Sequence, residues 1–315
     1  MNKEYKYIVV LGSGYSGASA IRDYLSGRYD ISSPLDESEF ELIHDSHGIA
    51  DLDNALNYMF SVNGASYALD KFEEFSKNYS INIPYNNRKQ YLTDIENYIN
   101  NITQLKYKGL PKSRLEEFGF FYKNMELLCR KLYFKLGRKY VSGFMRIPVN
   151  KDVFHMETVK LIDSIFNNTS SNSNKIIVDQ GGSFWNPLTS TKYYSSRKVI
   201  VVTRDPRDIY SDLKSQGYAY PGGDPMVFCM WYKEIMSRIS IEEWKNKCVV
   251  HIKFENFVLD FENSRKKICE FLDLNNSIKS TYKVEKSKIN VGKFRNNLSS
   301  NELRVIKSEL SQYFN

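Results

Sequence analysis

An apolar run, Tyr7 to Leu11, breaks into the turn GSGYSG, Gly12 to Gly17, and then into the small residues Ala18 and Ser19 before a helical pattern reaches Leu25. A buried strand feeding a tight turn and a helix directs a chain toward α/β architecture, because parallel strands are joined through helices. Gly12, Gly14 and Gly17 allow the backbone to approach a ligand closely. The main-chain N–H groups of Tyr15, Ser16, Ala18 and Ser19 fall where a helix start favours a phosphate-like anion. A second apolar run, Val199 to Thr203, ends in RDPRDIYS. It sets Arg204 and Arg207 at the carboxyl end of a parallel strand, the edge at which open α/β sheets bind ligands. Two phosphate-seeking elements on one sheet imply a ligand with two separated anionic ends.

With 315 residues, 42% of them hydrophobic, the chain is expected to form a single domain over 1–315, with 53–145 as a mostly helical insert. Forty-four Lys and Arg against 37 Asp and Glu is a mild excess. It fits an anionic substrate and falls short of a nucleic-acid signature, so no nucleic-acid partner is expected. Cys129, Cys229, Cys248 and Cys269 are scattered, without CxxC spacing, so neither a metal site nor a disulfide framework is expected. The N-terminal apolar run is too short for a signal-peptide core and no stretch is long enough to span a bilayer, so a cytoplasmic protein with no integral membrane segment is expected.

Strands are also expected at Lys175–Val178, Lys198–Thr203 and Val249–Phe254, and helices at Phe154–Phe166, from Ile209 onward and at Ser264–Leu272. Tyr29 to Leu52 suits a loop over a site. YLTDIENYINNI and LEEFGFFYKNMELLCRKLYFKLG carry apolar residues at helical spacing. Gly109, Pro111 and Lys112 between them suggest a connection of two helices, and the polar run NNTSSNSN suggests a turn.

GSGYSG also satisfies the dinucleotide pattern G-x-G-x-x-G, which makes a Rossmann oxidoreductase the principal rival. That fold wants an acid ending a second strand about twenty residues on, and Tyr29 to Asp36 offers acids without a strand pattern. A P-loop would place Lys and then Ser or Thr after Gly17, where this chain has Ala18 and Ser19. Lacking that lysine, the turn does not suit phosphoryl transfer from ATP or GTP.

Four segments together resemble the sulfotransferases that use 3′-phosphoadenosine 5′-phosphosulfate (PAPS). GSGYSGAS resembles the 5′-phosphosulfate loop and VVTRDPRDIYS the 3′-phosphate strand, loop and helix. HIKFENFVLDFENSRKKICEFLDL resembles the tail in which a strand ends at a glutamate, here Glu255, and EKSKINVGKFRNNLS the late cofactor-covering loop. The resemblance implies a P-loop-like fold with a central parallel sheet, helices on both faces and a helical insert. It also implies PAPS as donor, 3′-phosphoadenosine 5′-phosphate (PAP) as product and no metal. Gly12, Gly14, Tyr15, Ser16, Gly17, Ala18 and Ser19 would then hold the phosphosulfate. Arg204 and Ser211 would hold the far phosphate, and Ser287, Asn290, Gly292 and Lys293 would cover the nucleotide. Arg207 and Asp208 are expected to be structural. This chain departs from the family at Tyr15, where a basic residue is common, and at Asp212, eight residues after Arg204, where serine is usual. Arg22 and Lys293 are the candidates for the missing cation.

Transfer to a hydroxyl needs a proton acceptor. Asp179, ending the strand KIIVD, is the first candidate, and Glu39 and His44 in the loop after the first helix are alternatives, with Asp45 and His47 nearby. Trp185, Trp231 and Tyr232 are expected to pack rather than stack on a base. The acceptor is expected to be a glycan or a hydroxylated small molecule. A non-catalytic nucleotide-binding protein remains the third class.

Overall fold

A computed structural model of the chain describes residues 5–35, 38–109, 111, 119–141, 143–167, 174–216 and 221–314. These divide into two compact units, Met1–Phe40 with Thr169–Asn315, and Glu41–Asn168. In chain order the first unit opens with β1 (Tyr7–Gly12) and α1 (Ala18–Ser26). The second contains α2 (Val62–Tyr79), α3 (Tyr85–Asn101), β2 (Thr103–Gly109), α4 (Phe120–Lys135), β3 (Gly143–Pro148) and α5 (Lys151–Asn167). The first unit resumes with β4 (Ile176–Asp179), β5 (Arg197–Thr203), α6 (Pro206–Gln216), α7 (Pro225–Ser237), β6 (Val249–Lys253), α8 (Phe261–Phe271) and α9 (Ser300–Leu310).

The first unit is an α/β fold on a four-stranded, wholly parallel sheet in the order β4-β1-β5-β6. β1, β4 and β5 are apolar runs buried on both faces, as a sheet flanked by helices requires, while the edge strand β6 is half-buried. Ile8, Val10, Ile200, Val202 and Ile252 pack on one side against Ile21, Tyr24 and Leu25 of α1 and Ile268 of α8. On the opposite side Val9, Leu11, Val199 and Val201 are equally buried. The register sets Val10 beside Asp179 and Gly12 beside Val202, so three strands end together at one edge.

Among the described residues, the stretch after α1, where a dinucleotide fold would need its acid-ended strand, makes only an isolated bridge between Ser32 and Ile176.

In the second unit α2 and α3 pack through Phe72 against Tyr98, and the buried Tyr91 hydroxyl donates to the Ser76 carbonyl. The mostly helical expectation for 53–145 misses one feature, the antiparallel hairpin of β2 and β3. Gly109 therefore ends a strand rather than joining two helices. Lys112, and residues 168–173 of the polar run, lie outside the described residues.

Candidate active site

The chain must turn sharply after β1, since a Cβ on Gly12 would stand 2.0 Å from Ser16 Oγ. Tyr15 and Gly17 both take positive φ, 64° and 81°. Left-handed residues in a turn of this kind let main-chain N–H groups converge on an anion. For a tyrosine the conformation stores about 1–3 kcal/mol of strain, which such turns carry at functional sites. Gly17 is the N-cap of α1 and no side chain caps that helix. The first-turn N–H groups, those of Ala18 and Ser19 among them, consequently have no intrahelical acceptor. Ser16 is 1% exposed, and its Oγ is buried without a hydrogen-bond partner. An orphaned hydroxyl beside an uncapped helix start is the makeup of an anion cradle. Gly14 is half-buried and Ser19 exposed at the same turn.

Phe254, just past β6, fixes the cradle from below. Its ring would lie 2.4 Å from a Cβ on Gly17. Gly17→Ala is therefore expected to destabilise the fold by at least about 2 kcal/mol, from left-handed strain and the clash together. The check is the urea midpoint, and an unchanged midpoint would contradict this packing.

Arg204 leaves the end of β5 and turns toward the cradle. Its Nη1 donates to the Tyr15 carbonyl at 3.0 Å and its Nη2 to the Asn290 carbonyl at 2.7 Å, with the guanidinium 5.3 Å over the Phe254 ring. The two motifs are thus joined through one side chain. That side chain is almost fully buried and already meets a carboxylate, Asp212 Oδ2, at 2.6 Å. Lys293 reaches the other oxygen of Asp212 at 2.9 Å. Ser211 does not face Arg204; it is buried and accepts from Asn297 Nδ2 at 2.9 Å. Successive helix residues are rotated by about 100°, so Ser211 and Asp212 point to different neighbours.

The late loop is pinned to α6 by its backbone. Asp208 accepts from the N–H of Gly292, whose φ is 76°, and from that of Phe294. Ser287 Oγ meets the Tyr282 hydroxyl at 2.7 Å. Arg207 pairs with Asp205 and stacks on Phe294 and Phe314, so Arg207 and Asp208 are framework. Glu255 accepts from the Asp205 N–H at 2.9 Å. A cleft of about 330 Å³ opens at the carboxyl ends of β5 and β6, lined by Arg204, Lys253 and Glu255 with Tyr232 and Trp244. Trp185 donates to the Ile235 carbonyl and packs on Phe184, and Trp231 packs on Phe228.

At the other end of the edge, Asp179 closes β4 and is 8% exposed. Burial pushes its carboxyl up from 3.8 to about 7, against the pull of Arg22; Glu39 and Asp23 push the same way as burial. Arg22 Nε lies 3.7 Å from Asp179 Oδ2 and 2.9 Å from Asp23. Asp179 Oδ1 and Arg22 Nη1 are buried without hydrogen-bond partners. A carboxyl poised near neutrality with an unused oxygen is equipped to accept a proton. Gln180, at φ 50°, accepts from the Gly12 N–H at 3.2 Å and so ties this strand end to the glycine turn. Glu39 is exposed in the same unit. His44, Asp45 and His47 belong to the second unit, where His44 is exposed and the His47 N–H donates to Asp51. Arg22 meets Asp179, and Asp212 meets Arg204, across different elements, so spacing along the chain carries no signal of either pairing.

No protein-family model matches the chain, and no curated protein matches it. Among solved structures it is similar to the sulfotransferase domain from the curacin biosynthetic pathway, at 12% identity and a TM-score of 0.42 over 96% of each chain. It is similar also to sulfotransferase STF9 from Mycobacterium avium, at 10% identity and a TM-score of 0.39 over 99% of this chain and 78% of that one. Mouse sulfotransferase SULT7A1 complexed with PAP is similar over 48% of this chain and 71% of its own, at 14% identity and a TM-score of 0.31.

Proposed function

We infer that the chain transfers a sulfuryl group from PAPS to a hydroxyl of an acceptor, a carbohydrate first. The observation that carries this is the 3.0 Å bond from Arg204 to the Tyr15 carbonyl, which brings the arginine of one strand end onto the glycine turn of its neighbour. Two anion-seeking elements in contact match a nucleotide with a phosphate at one end and a phosphosulfate at the other. When bound, that nucleotide supplies the activated sulfuryl group. The chain supplies position and charge: uncapped N–H groups and Ser16 face the leaving phosphate, Arg22 lies beside Asp179, and Asp179 takes the proton of the attacking hydroxyl. The four free cysteines suit a reducing, cytoplasmic setting.

A nucleotide-binding protein without transfer is the second reading, favoured by the carboxylate of Asp212 already seated on Arg204 and Lys293. A Rossmann oxidoreductase is disfavoured, because among the described residues the segment after α1 contributes only the isolated bridge at Ser32. Sulfur-labelled PAPS offered with a panel of glycans and hydroxylated small molecules tests the proposal. Acceptor-dependent label supports it; PAP binding with no transfer to any acceptor would favour the second reading.

A further inference from the structure

The positive charge of this chain is not spread evenly. Residues 103–148 hold eleven Lys and Arg against three Glu, a net +8, whereas the whole chain carries +7, leaving −1 for the remainder. At the centre of that stretch lies α4, a helix that buries none of its residues. Phe121, Met125, Leu128, Leu132 and Leu136, spaced by four and three, form one apolar stripe along it, each between 45% and 71% exposed. By helical rotation Lys131 and Lys135 border the stripe on one side and Tyr122 and Tyr133 on the other, while Lys123 and Arg130 lie behind. The neighbouring hairpin repeats the combination, with Leu105, Tyr107 and Phe144 exposed among Lys106 and Lys108.

An exposed apolar stripe of this length marks an interaction surface. Its charge selects the partner. A second copy of the chain would set +8 against +8, and a nucleic acid would use the lysines but leave the stripe in water. An anionic lipid surface satisfies both, taking the aromatic and aliphatic side chains among its acyl chains and the basic rim among its headgroups. At about 24 Å the helix is suited to lie in the interface, and no helix among the described residues is long and apolar enough to cross a membrane. We propose that α4 docks this protein on anionic membrane surfaces.

The test is co-sedimentation of the full chain with phosphatidylcholine vesicles, with and without phosphatidylserine. Binding is expected to be at least about tenfold stronger with phosphatidylserine and to weaken at high salt. The triple variant Phe121→Ser, Leu128→Ser, Leu132→Ser and, separately, the double variant Lys131→Gln, Lys135→Gln should each lose most of that binding. All five positions are exposed on a helix that buries no residue, so circular dichroism should show both variants folded as the parent. Equal binding to both vesicles, or full binding by the triple serine variant, would overturn the proposal. So would a dimer that this variant dissociates, or tighter binding to RNA than to the anionic vesicles.

Discussion

Asp179→Asn is expected to lower sulfuryl transfer by about 10²–10⁴-fold, the usual contribution of a positioned general base, while making the folded chain more stable at neutral pH. Both effects come from one cause. Burial raises the Asp179 carboxyl from 3.8 to about 7, with Arg22 opposing and Glu39 and Asp23 adding to the rise. The folded chain therefore keeps a proton that the unfolded chain releases. Stability contributed by the protonated form is full below about pH 4, declines as pH rises between 4 and 7, and is gone above. An asparagine never ionises, so it escapes that decline. Its gain is nil at pH 4 and at most about 4 kcal/mol at pH 8, reduced by what Arg22 loses with its partner. Urea melts at the two pH values measure this, and the parent transfer rate should be half-maximal near pH 7. Full transfer by Asp179→Asn would remove Asp179 from the chemistry.

Asp212→Ser is expected to have opposite effects on the free and the bound protein. In the free chain the buried guanidinium of Arg204 rests on Asp212 and on two carbonyls. Removing the carboxylate leaves a buried charge without its counterion and should cost about 3–5 kcal/mol of stability. A far phosphate, by contrast, must displace Asp212 from Arg204 and Lys293 in the parent and meets no competitor in the variant. One charge-assisted hydrogen bond of about 1.5–3 kcal/mol then returns as PAP affinity, roughly 10–100-fold. Thermal melts with and without PAP should show the variant below the parent when free and closer to it, or above, when bound. Unchanged PAP affinity in Asp212→Ser would mean that no phosphate reaches Arg204.

The residues that position the site were the most legible part of the chain. β1, β4 and β5 are short β-branched runs buried on both faces, a pattern that few alternatives share, and each strand boundary fell within a residue or two of expectation. The turn after β1 was readable because Gly12 and Gly17 fill positions where a side chain collides with Ser16 or Phe254. The hairpin escaped notice because TQLKYKG alternates apolar residues with lysines and faces no buried core. The character of α4 was hidden for a related reason. A stripe at helical spacing looks the same in sequence whether it packs on a core or meets none. Ser211 was named for its hydroxyl although the family's spacing falls on Asp212, and only the helical rotation of α6 shows that Asp212 is the one that meets Arg204.

In the proposed function the glycine turn and Arg204 hold the two ends of one nucleotide. Calorimetric titration of PAP, beside 5′-AMP and NAD, into the parent and Arg204→Ala tests it most directly. PAP is expected to bind and NAD is not, and Arg204→Ala is expected to lose most of the PAP affinity. Binding of NAD alone, or PAP affinity indifferent to the loss of Arg204, would contradict it.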